Sequence, residues 1–114
     1  MNTTRAASAA VSAICSLALG FLLLPSVVEA ATTDAAPLAA KYNCSACHTV
    51  DKKLVGPSYK EIAAKYAGDS AALTKLEQKV KNGGSGAWGA IPMPPNNVPD
   101  GDLKTLVEWI LAQK

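Results

Sequence analysis

The chain has 114 residues, a formal net charge of +2, 18% charged residues and 5% aromatics. That length suits a single small domain. So slight an excess of positive charge, with no interleaving of basic and aromatic residues, argues against a nucleic-acid binder.

Residues 1–30 read as a secretory signal peptide. Met1 to Arg5 is a short, weakly basic start, Ala6 to Leu24 is an apolar run, and Val28-Glu29-Ala30 places small or compact residues where cleavage is expected. The cut is placed after Ala30. The competing reading is an uncleaved anchor, since the apolar run is about long enough to span a bilayer. Against it stand Ser8, Ser12, Ser16, the many Ala residues and the cut site that follows. Cys15 falls within the leader, and the bulky Ile14 before it argues against a lipoprotein cut. Cleavage leaves residues 31–114 as a single domain without a membrane anchor, carrying ten Lys, no Arg and eight Asp plus Glu.

The elements that follow are all helical. Pro37 suits the start of a first helix running through Leu38, Ala39, Ala40 and Tyr42 into a pair of cysteines. Thr49 to Pro57 is a loop. Ser58-Tyr59-Lys60-Glu61 is a capping box opening a second helix over Tyr59 to Ala67, with Gly68 as its stop. Asp69 or Ser70 caps a third helix ending near Asn82, whose apolar face holds Leu73, Leu76 and Val80. A glycine-rich stretch and a long proline-containing loop reach Pro99. Asp100 and Asp102 favour the start of a last helix, striped by Leu103, Leu106, Val107, Ile110 and Leu111. No alternating strand pattern competes, and no repeat or second domain is visible. A loop as long as the one before Pro99 is acceptable in so small a domain if it has a function.

Cys44-Ser45-Ala46-Cys47-His48 has the Cys-x-x-Cys-His pattern of c-type haem attachment. Two thiols three positions apart lie on one side of a helical turn, so each can add to one vinyl group of the same porphyrin. The adjacent His48 then offers a ring nitrogen to the iron. A thioredoxin-like pair would sit near a βαβ pattern, which is absent. A zinc site wants four ligands, and residues 31–114 hold two Cys and one His. Met93 is the one methionine besides Met1. It lies in Ile91-Pro92-Met93-Pro94-Pro95-Asn96-Asn97, a stretch that proline excludes from helix and stiffens. Core filling is the ordinary role of a lone Met. Here the proline frame favours Met93 as second axial ligand, giving the His/Met pair of electron-transfer haems. A covalently attached macrocycle would also supply the apolar bulk that so small a chain, with only two Trp and three Tyr, otherwise lacks.

These motifs resemble the small class I bacterial cytochromes c, in particular the cytochrome c-551 (cytochrome c8) type. The resemblance covers nearly all of residues 31–114. It is carried by the attachment motif, by Lys53-Leu-Val-Gly-Pro-Ser-Tyr-Lys60, Ala63-Ala-Lys-Tyr-Ala-Gly68, Lys81-Asn-Gly-Gly-Ser-Gly-Ala-Trp-Gly-Ala-Ile-Pro-Met-Pro-Pro-Asn96 and Trp109-Ile-Leu-Ala-Gln-Lys114. It implies an all-α fold of about four helices wrapped around one haem c bound through Cys44 and Cys47. It implies that Pro57 presents its carbonyl to the other ring nitrogen of His48, that Trp88 reaches a haem propionate, and that Asn96 hydrogen-bonds near the Met93 sulfur. Core packing for Trp88 and a turn role for Asn96 are the alternatives. Trp109 is expected in the core between the first and last helices. Ala39 stands where some family members have a larger side chain.

The resemblance further implies a periplasmic, monomeric, non-enzymatic carrier of one electron between respiratory redox proteins. Its partners would be a nitrite reductase of denitrification, a terminal oxidase, a quinol-oxidising complex or other cytochromes, met through a transient contact. Lys41, Lys52, Lys53, Lys60 and Lys79 are candidates to steer an acidic partner. The alternative is a peroxidase-like enzyme or gas sensor, which needs an open sixth iron position and usually a distal acid–base group.

Overall fold

A computed structural model describes residues 33–114; the expected leader and its cleavage point lie outside the described residues. Pro37 stands in the first turn of helix α1 (Ala36–Lys41), where the missing N–H costs nothing. Asp34 accepts a hydrogen bond from the Ala36 backbone N–H at 3.0 Å. The helix stops short of the cysteines it was expected to reach. Asn43 adopts the left-handed region with φ 60°, and Cys44–Ala46 form a separate single 3-10 turn. Asn tolerates that conformation better than most residues, so the break costs little.

Helix α2 (Tyr59–Lys65) opens on a complete capping box. The Glu61 N–H donates to Ser58 Oγ at 3.1 Å, and the Ser58 N–H donates to the Glu61 carboxylate at 2.7 Å. Ser58 is buried, so this cap also pins the helix start inside the fold. The helix ends before the expected Ala67, because the chain tightens into a turn over Tyr66 and Ala67 that Gly68 closes with φ 76°.

Helix α3 (Ala72–Asn82) is preceded by Asp69, whose carboxylate accepts from the Ala71 N–H at 2.9 Å. It buries Ala72, Leu76 and Val80, with Leu73 partly covered. Helix α4 (Asp100–Leu111) carries Asp100 and Asp102 in its first turn, where acids suit the helix dipole. It buries Leu103, Leu106, Val107, Trp109 and Ile110.

The other three helices pack against α4, which makes its apolar stripe the centre of the core. Leu103, Leu106 and Val107 are its most deeply enclosed side chains, each contributing about 1.5–3 kcal/mol by burial. Ala39, 2% exposed, is the buried contact of α1. Trp109 meets Tyr59 of α2 edge-on, with ring centroids 5.2 Å apart and planes at 69°. Its aromatic partner thus comes from α2 rather than α1. Among the described residues there is no strand, only two isolated bridges, His48 with Lys53 and Gly84 with Met93. None of their helices is long and apolar enough to cross a membrane.

A surface tie joins α1 to α4. Tyr42 Oη donates to the Asp102 carboxylate at 2.6 Å, and Lys41 Nζ lies 3.1 Å from the same oxygen. These partners, Tyr42 first, hold the Asp102 carboxyl below its ordinary value of 3.8. Asp69 is lowered by Lys75 and by its backbone bond to Ala71, and Glu61 by its hydrogen bonds to Ser58. A lowered carboxyl keeps its charge in the folded chain while the unfolded chain is already taking up protons. The stability it contributes is therefore complete above the ordinary carboxylate range and is lost as pH falls through the lowered folded values. Denaturant midpoints measured against pH are expected to hold down to about pH 5 and then fall progressively. Asp102→Asn should lower the plateau and shrink the acid-dependent fall.

Candidate haem site

Cys44, Cys47 and His48 stand on the 3-10 turn and the residues after it. The His48 N–H donates to the Cys44 carbonyl at 2.9 Å, which keeps the three side chains on one short arc. Cys44 and Cys47 are not joined in a disulfide, and both line a cleft of about 260 Å³ that His48 lines too.

The imidazole of His48 is held from three directions. Its Nδ1 lies 2.7 Å from the Pro57 carbonyl. Tyr59 stacks against the ring at 5.8 Å between centroids and 22° between planes. The backbone of Gly56 closes the third side: a Cβ there would stand 2.8 Å from Nδ1 and 3.0 Å from Nε2. Gly56 reaches this position because its N–H donates to the Cys47 carbonyl at 2.9 Å, while the Tyr59 N–H donates to Thr49 at 2.8 Å. The Tyr59 hydroxyl is buried without a hydrogen-bond partner among the described residues, and burial pushes its pKa up to about 12.

Met93 reaches the same cleft from the loop between α3 and α4. Gly84 and Met93 exchange backbone hydrogen bonds of 2.9 and 3.0 Å. Gly83, with φ 65°, lies so close to the following strand of loop that a Cβ would come within 2.8 Å of Pro95 N. Pro92 and Pro94 flank Met93 at the lining. Trp88 also borders the cleft and is 40% exposed, with Lys65 Nζ 4.7 Å from its ring centroid. Asn96 does not line the cleft. Its side-chain amide donates to the Pro94 carbonyl at 2.9 Å and its backbone N–H to Val80 at 2.8 Å. This local turn uses one of the two N–H groups of the Asn96 amide.

Of the five candidate steering lysines, Lys53 and Lys79 line the cleft, whereas Lys41 pairs with Asp102 and Lys60 with Asp51 at 2.6 Å. The remaining lining is hydrocarbon, chiefly Ile62, Leu76, Val80, Leu106, Val107 and Ile110. Two thiols, an imidazole and a thioether opening into an apolar cleft form a donor set suited to a covalently held, low-polarity macrocycle bearing iron.

Residues 33–114 match the Cytochrome c family. The chain belongs to that family. It is a small class I cytochrome of the c-551 type, and it carries one haem c bound covalently at Cys44 and Cys47. This cytochrome is 55% identical over 71 residues to cytochrome c-551 of Pseudomonas aeruginosa, covering 62% of its own chain and 68% of the relative. It is 59% identical over 80 residues to cytochrome c-552 of Nitrosomonas europaea, covering 69% and 78%. The crystal structure of wild-type N. europaea cytochrome c552 superposes with a TM-score of 0.67 at 59% identity, covering 69% of this chain and 99% of that one. A class 1 cytochrome from Sideroxydans lithotrophicus superposes at 0.61 with 38% identity, covering 69% and 91%. The relatives of the cytochrome are thus small electron carriers.

Sequence reasoning named Pro57 as a support of His48 in this cytochrome but missed Gly56 and Tyr59. Gly56 read as a loop glycine and Tyr59 as a helix start. The Gly-Pro pair was the available signal, since a glycine before a residue whose carbonyl serves the site implies close backbone approach. Gly56→Ala is expected to push the imidazole out of line with Pro57, costing about 1–3 kcal/mol of stability by overpacking. Denaturation of the holoprotein measures that loss, and a changed visible spectrum of the oxidised form should accompany it.

Proposed function

We propose that this cytochrome passes single electrons between larger redox proteins, with its haem iron held by His48 and Met93. One observation carries the reading. His48 and Met93, the sole imidazole and the sole thioether of residues 31–114, line the same cleft. Haem c supplies a reversible one-electron change at iron, and a His/Met pair raises its potential.

The chain's own residues bind, orient and shield. Pro57, accepting the Nδ1 proton of His48, fixes the tautomer and leaves Nε2 as the ligating nitrogen. Tyr59 and Gly56 prevent the ring from turning. The prolines beside Met93 and its paired bonds to Gly84 hold the thioether in place while the charge on iron changes. The hydrocarbon lining keeps water out. Trp88 is assigned to a propionate through its indole N–H. Asn96, whose amide donates one N–H to the Pro94 carbonyl, is assigned a second hydrogen bond near the Met93 sulfur.

The leader, residues 1–30, fits export to the periplasm with cleavage after Ala30, where thioether attachment would follow. There the partners would be a nitrite reductase of denitrification, a terminal oxidase, a quinol-oxidising complex or another cytochrome. Val55 and Ile91, exposed and bordering the cleft, offer an apolar contact for a small transient interface, with Lys53 and Lys79 at its edge.

The visible spectrum of the purified holoprotein tests the ligation. Sharp low-spin bands in the reduced form, a weak far-red sulfur-to-iron band in the oxidised form and no response to carbon monoxide are expected. Met93→Ala should lose the far-red band and bind carbon monoxide. A wild-type protein that binds carbon monoxide would replace the carrier reading with that of an enzyme or sensor. Steering by Lys53 and Lys79 is tested separately: electron exchange with an acidic partner should slow as ionic strength rises. A flat salt profile would remove steering and leave the carrier.

A further inference from the structure

The loop that delivers Met93 is fastened firmly at its base and lightly at its tip. The base holds the paired Gly84–Met93 bonds and the close approach of Gly83 to Pro95. The tip, residues 85–92, has Gly86 and Gly89 at φ 100° and 120°, and its one internal backbone bond joins those two residues at 2.8 Å. Glycines at such angles keep many alternative loop shapes within reach.

Among the described residues, one hydrogen bond joins this tip to the helices. Lys65 Nζ donates to the Ala87 carbonyl at 3.1 Å. The same ammonium lies 4.7 Å from the centroid of the Trp88 ring, close enough for cation–π attraction. Lys65, like Lys52, Lys53, Lys79 and Lys114, pairs with no carboxylate among the described residues, and it alone of these reaches the loop tip with a hydrogen bond. Its charge is committed to the loop. Lys65 also stands in the last turn of α2, the helix whose first residue, Tyr59, stacks on His48. One side chain thus links the element that supports His48 to the segment that carries Met93.

We propose that Lys65 is a positioning residue, a latch that holds residues 85–92 against α2 and so keeps Met93 seated. The proposal rests on the reading in which Met93 ligates iron. Removing a charged donor and a cation–π contact together should raise the population of the open loop roughly 5- to 30-fold.

The test compares oxidised wild-type holoprotein with Lys65→Met and Lys65→Arg. Imidazole takes the sixth position only when Met93 has left it, so its affinity reports loop opening. Lys65→Met should bind imidazole more tightly by that factor, and amide hydrogen exchange should rise across residues 85–92 but not across α3. Lys65→Arg, which keeps a donor and a cation for the ring, should stay close to wild type. Unchanged imidazole affinity and unchanged exchange in Lys65→Met would overturn the latch. So would equal losses in both variants. A wild-type protein without the far-red band would instead overturn Met93 ligation, and exchange across 85–92 would still decide whether Lys65 fastens the tip.

Discussion

The hydrogen bond between His48 and the Pro57 carbonyl is the contact around which the rest of the site is arranged. It requires the chain to leave His48, loop outward and return within nine residues, at 2.7 Å. The Cys47–Gly56 backbone bond closes that loop. Residue 56 must then pass where any side chain would strike the imidazole, which is why glycine stands there. The next turn of chain is the capping box built on buried Ser58, and its geometry sets where Tyr59 leaves the helix. Tyr59 touches His48 on one side and Trp109 on the other. The orientation of one imidazole is therefore transmitted by contact into the α4 core.

The Met93 side is built on a different principle. Met93 packs against the helical core but itself belongs to no helix or sheet. Proline removes donors and freedom from the residues around the thioether, while glycine lets two backbone segments approach more closely than side chains would allow. Rigidity at Met93 comes from the covalent chain itself and from a few backbone bonds. That arrangement suits a ligand that must hold one position from within a loop.

Much of this was legible before any coordinates. The apolar spacing of Leu103, Leu106, Val107 and Ile110 identified α4, and Ser58 with Glu61 announced α2, because both signals are local and periodic. Counting was enough to single out His48 and Met93. What stayed hidden depends on placement in space. Asn43 has no partner in sequence that marks it as left-handed, so the sequence pattern runs α1 on into the cysteines. The turn at Tyr66 and Ala67 looks helical until Gly68 is seen to close it. Asn96 follows two prolines, and nothing in that pattern marks the hydrogen bond its amide donates back to Pro94. Lys65 looked like any exposed lysine, because its partners lie on another loop.

The two ligand arms also differ in what they cost to close. The His48 arm is completed by a loop of nine residues, whereas Met93 must be brought from beyond α3. Closing a longer stretch of flexible chain carries a larger entropy loss, growing with the logarithm of its length. The arm nearest the cysteines is therefore cheap to assemble and hard to take apart by chain entropy alone. The distant arm carries the greater entropic debt and is the side from which the cleft yields first.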